Sequence, residues 1–131
     1  GSAASFASPG LQIHVPDDST TTLSATATDA SSSVSACSAP ISFVEDSRPP
    51  HTLIRRLHFN RAKGTVTPVF SSDEPYTTFE CSWSRWHRCI PGQRSWHVRP
   101  GRRIFRVRAR DAAGNVDPSP AIKTVTYNPV V

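Results

Sequence analysis

No lysine or arginine occurs before Arg48, although the 131-residue chain holds 15 of them. Residues 1–47 carry acids alone: Asp17, Asp18, Asp29, Glu45 and Asp46. Charge this uneven points to two structural units with different surfaces. A basic second half can meet acidic glycans, nucleic acid or anionic lipid, or can simply be well solvated. Long apolar runs are also missing. None approaches the roughly 20 residues needed to cross a bilayer, so no direct membrane insertion is expected. No window of about ten residues repeats with a period of 3.6, and almost no helix is expected. No signal peptide is visible; the opening Gly1-Ser2 reads as the scar of a cleaved tag, a cut that would also remove a native targeting segment. The usual marks of catalysis are absent too. There is no GxSxG, no phosphate-cradling glycine loop and no spaced carboxylate pair, because Asp73 and Glu74 are adjacent in a turn and diverge. The expectation is a non-enzyme that needs no cofactor.

What is present reads as strands. The 12 Pro and abundant Ser and Thr favour short strands and many turns, and 37% hydrophobic residues allow a modest core. The clearest stretch is Arg102 to Asp117, RRIFRVRARDAAGNVD. Phe105, Val107 and Ala109 alternate with Arg106, Arg108 and Arg110, which separates an apolar face from a charged one on a strand. Gly114 and Asn115 then suit a turn, and Ala121 to Tyr127 resumes as a β-branched strand, which predicts a hairpin with one packed face. Further strands are expected at Leu11–Ile13, Thr20–Thr28, Ile41–Val44, Leu53–Phe59, Thr65–Phe70 and Tyr76–Trp83. Pro68 implies an edge or a bulge. Phe79 and Cys81 share the inward face of their strand. Residues 1–10, small and polar, are expected to fray.

The chain also resembles itself. Leu23-Ser-Ala-Thr-Ala-Thr-Asp29-Ala-Ser-Ser-Ser-Val34 matches Phe105-Arg-Val-Arg-Ala-Arg-Asp111-Ala-Ala-Gly-Asn-Val116 at a constant offset of 82. His14-Val15 answers to His97-Val98 with one residue more. A period near this length suits tandem sandwich domains of about 100 residues. Residues 1–47 would then be the latter half of one repeat, a partial or atypical β unit, and 48–131 a complete one. Pro49-Pro50 is the natural hinge.

Phe70-Ser-Ser-Asp-Glu-Pro75, Thr78-Phe-Glu-Cys81, the second cysteine Cys89, and Phe105 to Pro120 (FRVRARDAAGNVDPSP) together resemble an extracellular bacterial-type Ig-like repeat. Such repeats occur in tandem in bacterial and in algal or protist cell-surface proteins. The match covers about residues 50–131 well and 11–46 weakly. It implies an all-β fold, a seven-stranded Ig-like antiparallel sandwich preceded by a partial Ig-like unit, at a cell surface, with neighbouring Ig-like repeats in the parent chain. The implied role is adhesion or spacing. The segment between the cysteines, SWSRWHR, is more aromatic and basic than the short Gly/Asp-rich turn usual there, and Gln93 to Gly101 carries further Arg and aromatic residues.

Cys81 and Cys89 stand at the two ends of an expected hairpin, and a bridge between them would contribute roughly 2–3 kcal/mol on chain-entropy grounds. It would imply an oxidising, extracellular-type compartment, which argues against nucleic acid as the partner. Cys37 is left unpaired, and its repeat counterpart is Ser119. A zinc site built from Cys81, His87 and Cys89 with His97 or His58 is the sharper rival, but Cys-x5-His-x-Cys is not a usual structural zinc spacing. Asp111, Asn115 and Asp117 offer oxygens to calcium without the dense carboxylates of a dedicated loop; Asp111 is expected to accept turn N–H groups instead. No metal is expected. The recognition candidates are Trp83, Arg85, Trp86, Arg88, Arg94, Trp96 and Arg99, with Arg106, Arg108 and Arg110 on the adjoining strand. At least one Trp should be core; the others suit sugar rings or a protein partner, with Arg on carboxylate or sulfate. The leading expectation is an adhesion or recognition module for a protein or acidic glycan. The rivals are a structural spacer and an acidic-polysaccharide binder.

Overall fold

The computed structural model describes Ser2 and residues 10–130. The expected fraying of residues 1–10 falls almost wholly outside these. Among the described residues there is no helix, and all strand pairing is antiparallel. The chain divides into two compact units, residues 1–47 and 48–131.

In the first unit, β1 (Thr20–Leu23) pairs with β2 (Ile41–Val44). The strand expected over Thr20–Thr28 stops at Leu23. Beyond it the N–H groups of Ala25 and Ala27 donate to the hydroxyls of Ser38 and Ser35 at 3.0 and 2.9 Å. The amides of Ser38 and Ser35 still donate to the Ala25 and Ala27 carbonyls at 2.8 Å, so serine hydroxyls replace only the other half of each ladder pair, a competition these residues commonly offer. An isolated bridge, Thr28 to Val34, closes a turn in which Asp29 Oδ1 accepts from the N–H groups of Ser31 and Ser33. Hydrogen bonding from the Ser31 hydroxyl is the leading cause that holds the Asp29 carboxyl below its ordinary value. The strand expected at Leu11–Ile13 is not formed. These three residues have no ladder partner, and Leu11 and Ile13 are exposed.

The second unit is a seven-stranded antiparallel sandwich of Ig-like form. One sheet joins β3 (Thr52–Asn60), β4 (Thr65–Ser72) and the two-residue β7 (Trp96–His97) in the order β3-β4-β7. The other joins β5 (Thr78–Ser82), β6 (Trp86–Cys89), β8 (Gly101–Arg110) and β9 (Ala121–Tyr127) in the order β6-β5-β8-β9. Alternation decides which side chains meet between them. Phe105, Val107 and Ala109 are fully buried, as the sequence predicts. Phe105 and Val107 join Phe70, Cys81 and Cys89 in one core cluster; Val66, Val98 and Val125 form a second. Pro68 pairs with Leu57 of β3, while β7 reaches only Thr65 and Val66. Pro68 thus lies beyond the reach of β7, where its carbonyl accepts from the Gly92 N–H at 2.9 Å and its missing N–H costs no ladder bond. Gly64 closes the β3–β4 hairpin at φ +62, and a Cβ there would come within 2.9 Å of the Tyr127 ring.

Two buried anchors lock the end of β8 to β3. Asp117 Oδ2 accepts from the Thr52 N–H at 2.7 Å, and the Thr52 hydroxyl accepts from the Ala109 N–H at 2.8 Å. Burial pushes the Asp117 carboxyl up, but hydrogen bonds from Thr52 and Ser119 outweigh it and hold the group below its ordinary value.

The internal resemblance extends to hydrogen bonds. Shifted by 82, the β1–β2 ladder is the β8–β9 ladder: Thr20↔Val44 answers to Arg102↔Thr126, and Leu23↔Ile41 to Phe105↔Lys123. The bridge Thr28↔Val34 answers to Arg110↔Val116. Asp29 N–H to Ser33 C=O matches Asp111 N–H to Asn115 C=O, and Ser35 N–H to Ala27 C=O matches Asp117 N–H to Ala109 C=O. Ser32 and Gly114, the turn residues with positive φ, fall at the same place. The correspondence does not reach His14-Val15: His97 lies in β7, whereas His14 and Val15 belong to no strand.

Candidate functional site

Cross-strand register assembles one face of the second unit from residues far apart in sequence. On β8 the side chains opposite Phe105, Val107 and Ala109 are Arg106, Arg108 and Arg110. Thr78, Glu80 and Ser82 of β5 stand beside Arg110, Arg108 and Arg106. Arg88 and Trp86 of β6 stand beside Glu80 and Ser82, and Ile122 of β9 beside Arg106. The result is an outward patch of Trp86, Arg88, Arg106, Arg108, Arg110 and Ile122 around a single carboxylate, Glu80. Ser82, between Trp86 and Arg106 in the ladder, is buried.

Arg108 organises the patch. Its Nε donates to Glu80 Oε2 at 2.8 Å, and its guanidinium lies 4.2 Å from the Trp86 ring centroid. Both partners of the ion pair are about a third exposed, so the pair is screened and its worth is under about 1 kcal/mol. Its geometric effect is larger, because it holds the guanidinium over the Trp86 ring. Trp86 stays 36% exposed and Ile122 58% exposed. Arg110 donates to the Gly114 carbonyl at 3.3 Å, a bond within its own hairpin.

The other candidates go elsewhere. Trp83 and Trp96 pack on the core, their ring centroids 5.1 and 6.4 Å from that of Phe105. The sequence leads one to expect at least one core tryptophan, and these two supply it while each also borders a surface groove. Trp83 shares the inward parity of Cys81, and β7 carries Trp96 across to the other sheet. Trp96 is half-buried, and Arg94 lies over its ring, 5.9 Å from the centroid. With Arg88, Ile90 and Gln93 these residues line an open groove of about 450 Å³. Arg99 lines a second groove of about 360 Å³ with Trp83, His97 and Arg103. Arg85 is exposed in the β5–β6 turn. Trp83 Nε1 and His87 Nε2 are buried without hydrogen-bond partners. Sequence reasoning missed Glu80 and Ile122, although each sits at the outward parity of a strand that it identified.

Cys81 and Cys89 form a disulfide with a Cα–Cα distance of 5.8 Å, which ties β5 to β6 beneath the patch. Neither sulfur is then available as a zinc thiolate. Asp111 accepts from the N–H and Nδ2 of Asn115, both at 2.8 Å, so its carboxylate is engaged within the turn as expected. Burial raises the Asp111 carboxyl, and the bonds from Asn115 and the neighbouring backbone more than offset this and lower it. Cys37 is a free, exposed thiol. Alkylation of denatured, unreduced protein should label one cysteine by intact mass; three labelled sites would contradict the bridge. Comparison with known proteins returned no matching family model, no matching curated protein and no matching solved structure.

Proposed function

We propose that the protein is a non-catalytic recognition or adhesion module of a larger extracellular surface protein, set beside further Ig-like repeats. Its binding face is the outer surface of the β6-β5-β8-β9 sheet. One observation carries this reading: an exposed Trp86 lies among Arg88, Arg106, Arg108 and Arg110, with Glu80 as the only carboxylate on the face. A solvated surface intersperses charges of both signs, whereas a cation-rich face around a flat aromatic complements an acidic partner. The disulfide supports an oxidising compartment. Sugar rings stack on exposed indoles, and guanidinium forks match carboxylate or sulfate, so an acidic polysaccharide is the favoured partner over a protein surface.

The test leaves the Arg108–Glu80–Trp86 group intact and changes Arg88, Arg106 and Arg110 to Ser. The wild-type chain should be retained on immobilised heparin or alginate and released by rising salt. The triple variant should elute early with its melting temperature nearly unchanged, since surface substitutions usually stay within about 0.5 kcal/mol each. Absence of wild-type retention on both matrices would favour the spacer reading. Equal retention of the triple variant would move the binding site off this face.

A further inference from the structure

The register match makes the first unit interpretable residue by residue against the second. Phe105, Val107, Ala109 and Val125 are buried, between 0 and 7% exposed. Their counterparts at the offset of 82 are Leu23, Ala25, Ala27 and Phe43. Ala25 and Ala27 are exposed, Phe43 is 50% exposed and Leu23 is only half-buried. The two hairpins therefore present the same apolar face, and only one of them is covered. The cover in the second unit is known. Leu57, Val66 and Phe70 of β3 and β4 pack on that face from across the sandwich, and β5 pairs along the β8 edge from Ser82 to Thr78. In the first unit β1 pairs with β2 alone. The edge that runs past Ser24, Thr26 and Thr28 corresponds to the β8 edge that β5 occupies.

From this we infer that residues 19–45 are the closing hairpin of a second sandwich, and that their apolar face and open edge receive a β3–β7-type body. That body lies N-terminal to them in the same polypeptide, as β3–β7 lies N-terminal to Gly101. A second copy of this chain is the weaker occupant. Its own β3–β7 body is already closed by a hairpin that presents the larger Phe105 and Val107, and that hairpin is covalently attached, so exchange would replace a better fit with a poorer one. The apolar positions Leu23 and Phe43 suit a sheet rather than solvent, and an unpaired edge calls for a strand. The inference rests on the neighbouring-repeat part of the functional proposal and not on the basic face. Loss of polysaccharide retention would leave it standing.

The experiment grafts residues 48–100 directly ahead of Ser19 of the full chain, so that the added body meets β1 at the spacing at which β3–β7 meets β8. Amide hydrogen exchange is compared with and without the graft. In the ungrafted chain the amides of Ser24, Thr26 and Thr28 should exchange rapidly. With the graft they should slow by roughly 100-fold or more, toward the rates of Arg106, Arg108 and Arg110. A companion graft carrying Leu23→Phe, Ala25→Val and Phe43→Val restores the side chains against which the added body packs in its own unit, and so removes poor fit as an explanation. Rapid exchange of these amides in the companion graft, whether or not the added body folds, overturns the inference. So does slow exchange in the ungrafted chain together with a dimer mass by light scattering, which would make a second copy the occupant.

Discussion

Val107→Asp should leave the second unit unfolded at room temperature. Val107 is fully buried, directly opposite Cys81 in the ladder, and packs in the cluster with Phe70 and Phe105. None of the cluster residues around it, Phe70, Cys81, Cys89 and Phe105, can pair a carboxylate, so the group would stay unpaired or take up a proton at a cost. An uncompensated buried charge costs roughly 3–5 kcal/mol, and the lost packing adds to it. A domain this small has a total stability near the low end of about 5–15 kcal/mol. The internal control is Ala25→Asp, the same change at the matching position of the first unit. Ala25 is exposed, so the melting curve should shift by no more than about 0.5 kcal/mol equivalent. Circular dichroism melts of both variants check the pair. A Val107→Asp protein that melts within a few degrees of wild type would mean that β8 does not face the core as described.

The second large effect concerns Asp117, which is 2% exposed. Its carboxylate accepts from the Thr52 N–H and from the N–H and hydroxyl of Ser119, at 2.7, 2.8 and 3.0 Å. Asp117→Ala leaves the buried Thr52 N–H without an acceptor and loosens the start of β3. The expected loss is about 2–4 kcal/mol, because hydrogen bonds to a charged acceptor are strong and the orphaned donor stays buried. That corresponds to a fall in Tm of roughly 10–25 °C for a unit of this size. Asp117→Asn, which keeps the shape and loses the charge, should fall between. The pH dependence gives an independent check. The folded-state pKa lies below the unfolded value, so the stabilisation is complete above about pH 5 and is lost as pH falls below about 4. The gap between wild type and Asp117→Ala should therefore be constant from pH 7 to about 5 and should narrow in acid. Asp111 titrates with the same sign and adds to the acid sensitivity of both proteins. A gap that widens in acid would contradict the assignment.

Period-two alternation was enough to orient β8 from Phe105 to Arg110, where apolar residues and arginines strictly alternate. The same parity is present in β4, whose Val66, Pro68 and Phe70 are all buried, although the sequence reading placed that strand without orienting it. Alternation also held the answer for the tryptophans. Trp83 lies two positions beyond Cys81 and so points inward, while Trp86 is paired with outward Ser82. Composition drew the two together as one aromatic group, and parity separates them. The place of Trp96 had no local signal. A two-residue strand that leaves one sheet to join the other is fixed by tertiary packing and not by its own pattern. Leu11–Ile13 shows the converse, since three residues of suitable character make no strand without a partner to complete the ladder. Thr20–Thr28 has a sound pattern, but after Leu23 its serine neighbours across the hairpin bond the backbone through their hydroxyls. The Arg108–Glu80 pair lay beyond sequence reading for a simpler reason: it spans 28 positions, and only the β5–β8 register makes the two residues neighbours.

The distribution of aromatic side chains gives the two units different optical properties. All three tryptophans and both tyrosines fall after Arg48. Absorbance at 280 nm and intrinsic fluorescence therefore report the second unit alone, and loss of structure in the first passes without a signal. Within the second unit the emission is again divided. Trp83 and Trp96 sit against Phe105, while Trp86 lies at the surface under a guanidinium. Iodide is concentrated by the surrounding arginines and should quench Trp86 first, whereas caesium is repelled and should hardly reach it. An acidic ligand on that face would shield the indole from iodide, so the protein carries its own fluorescent probe of occupancy.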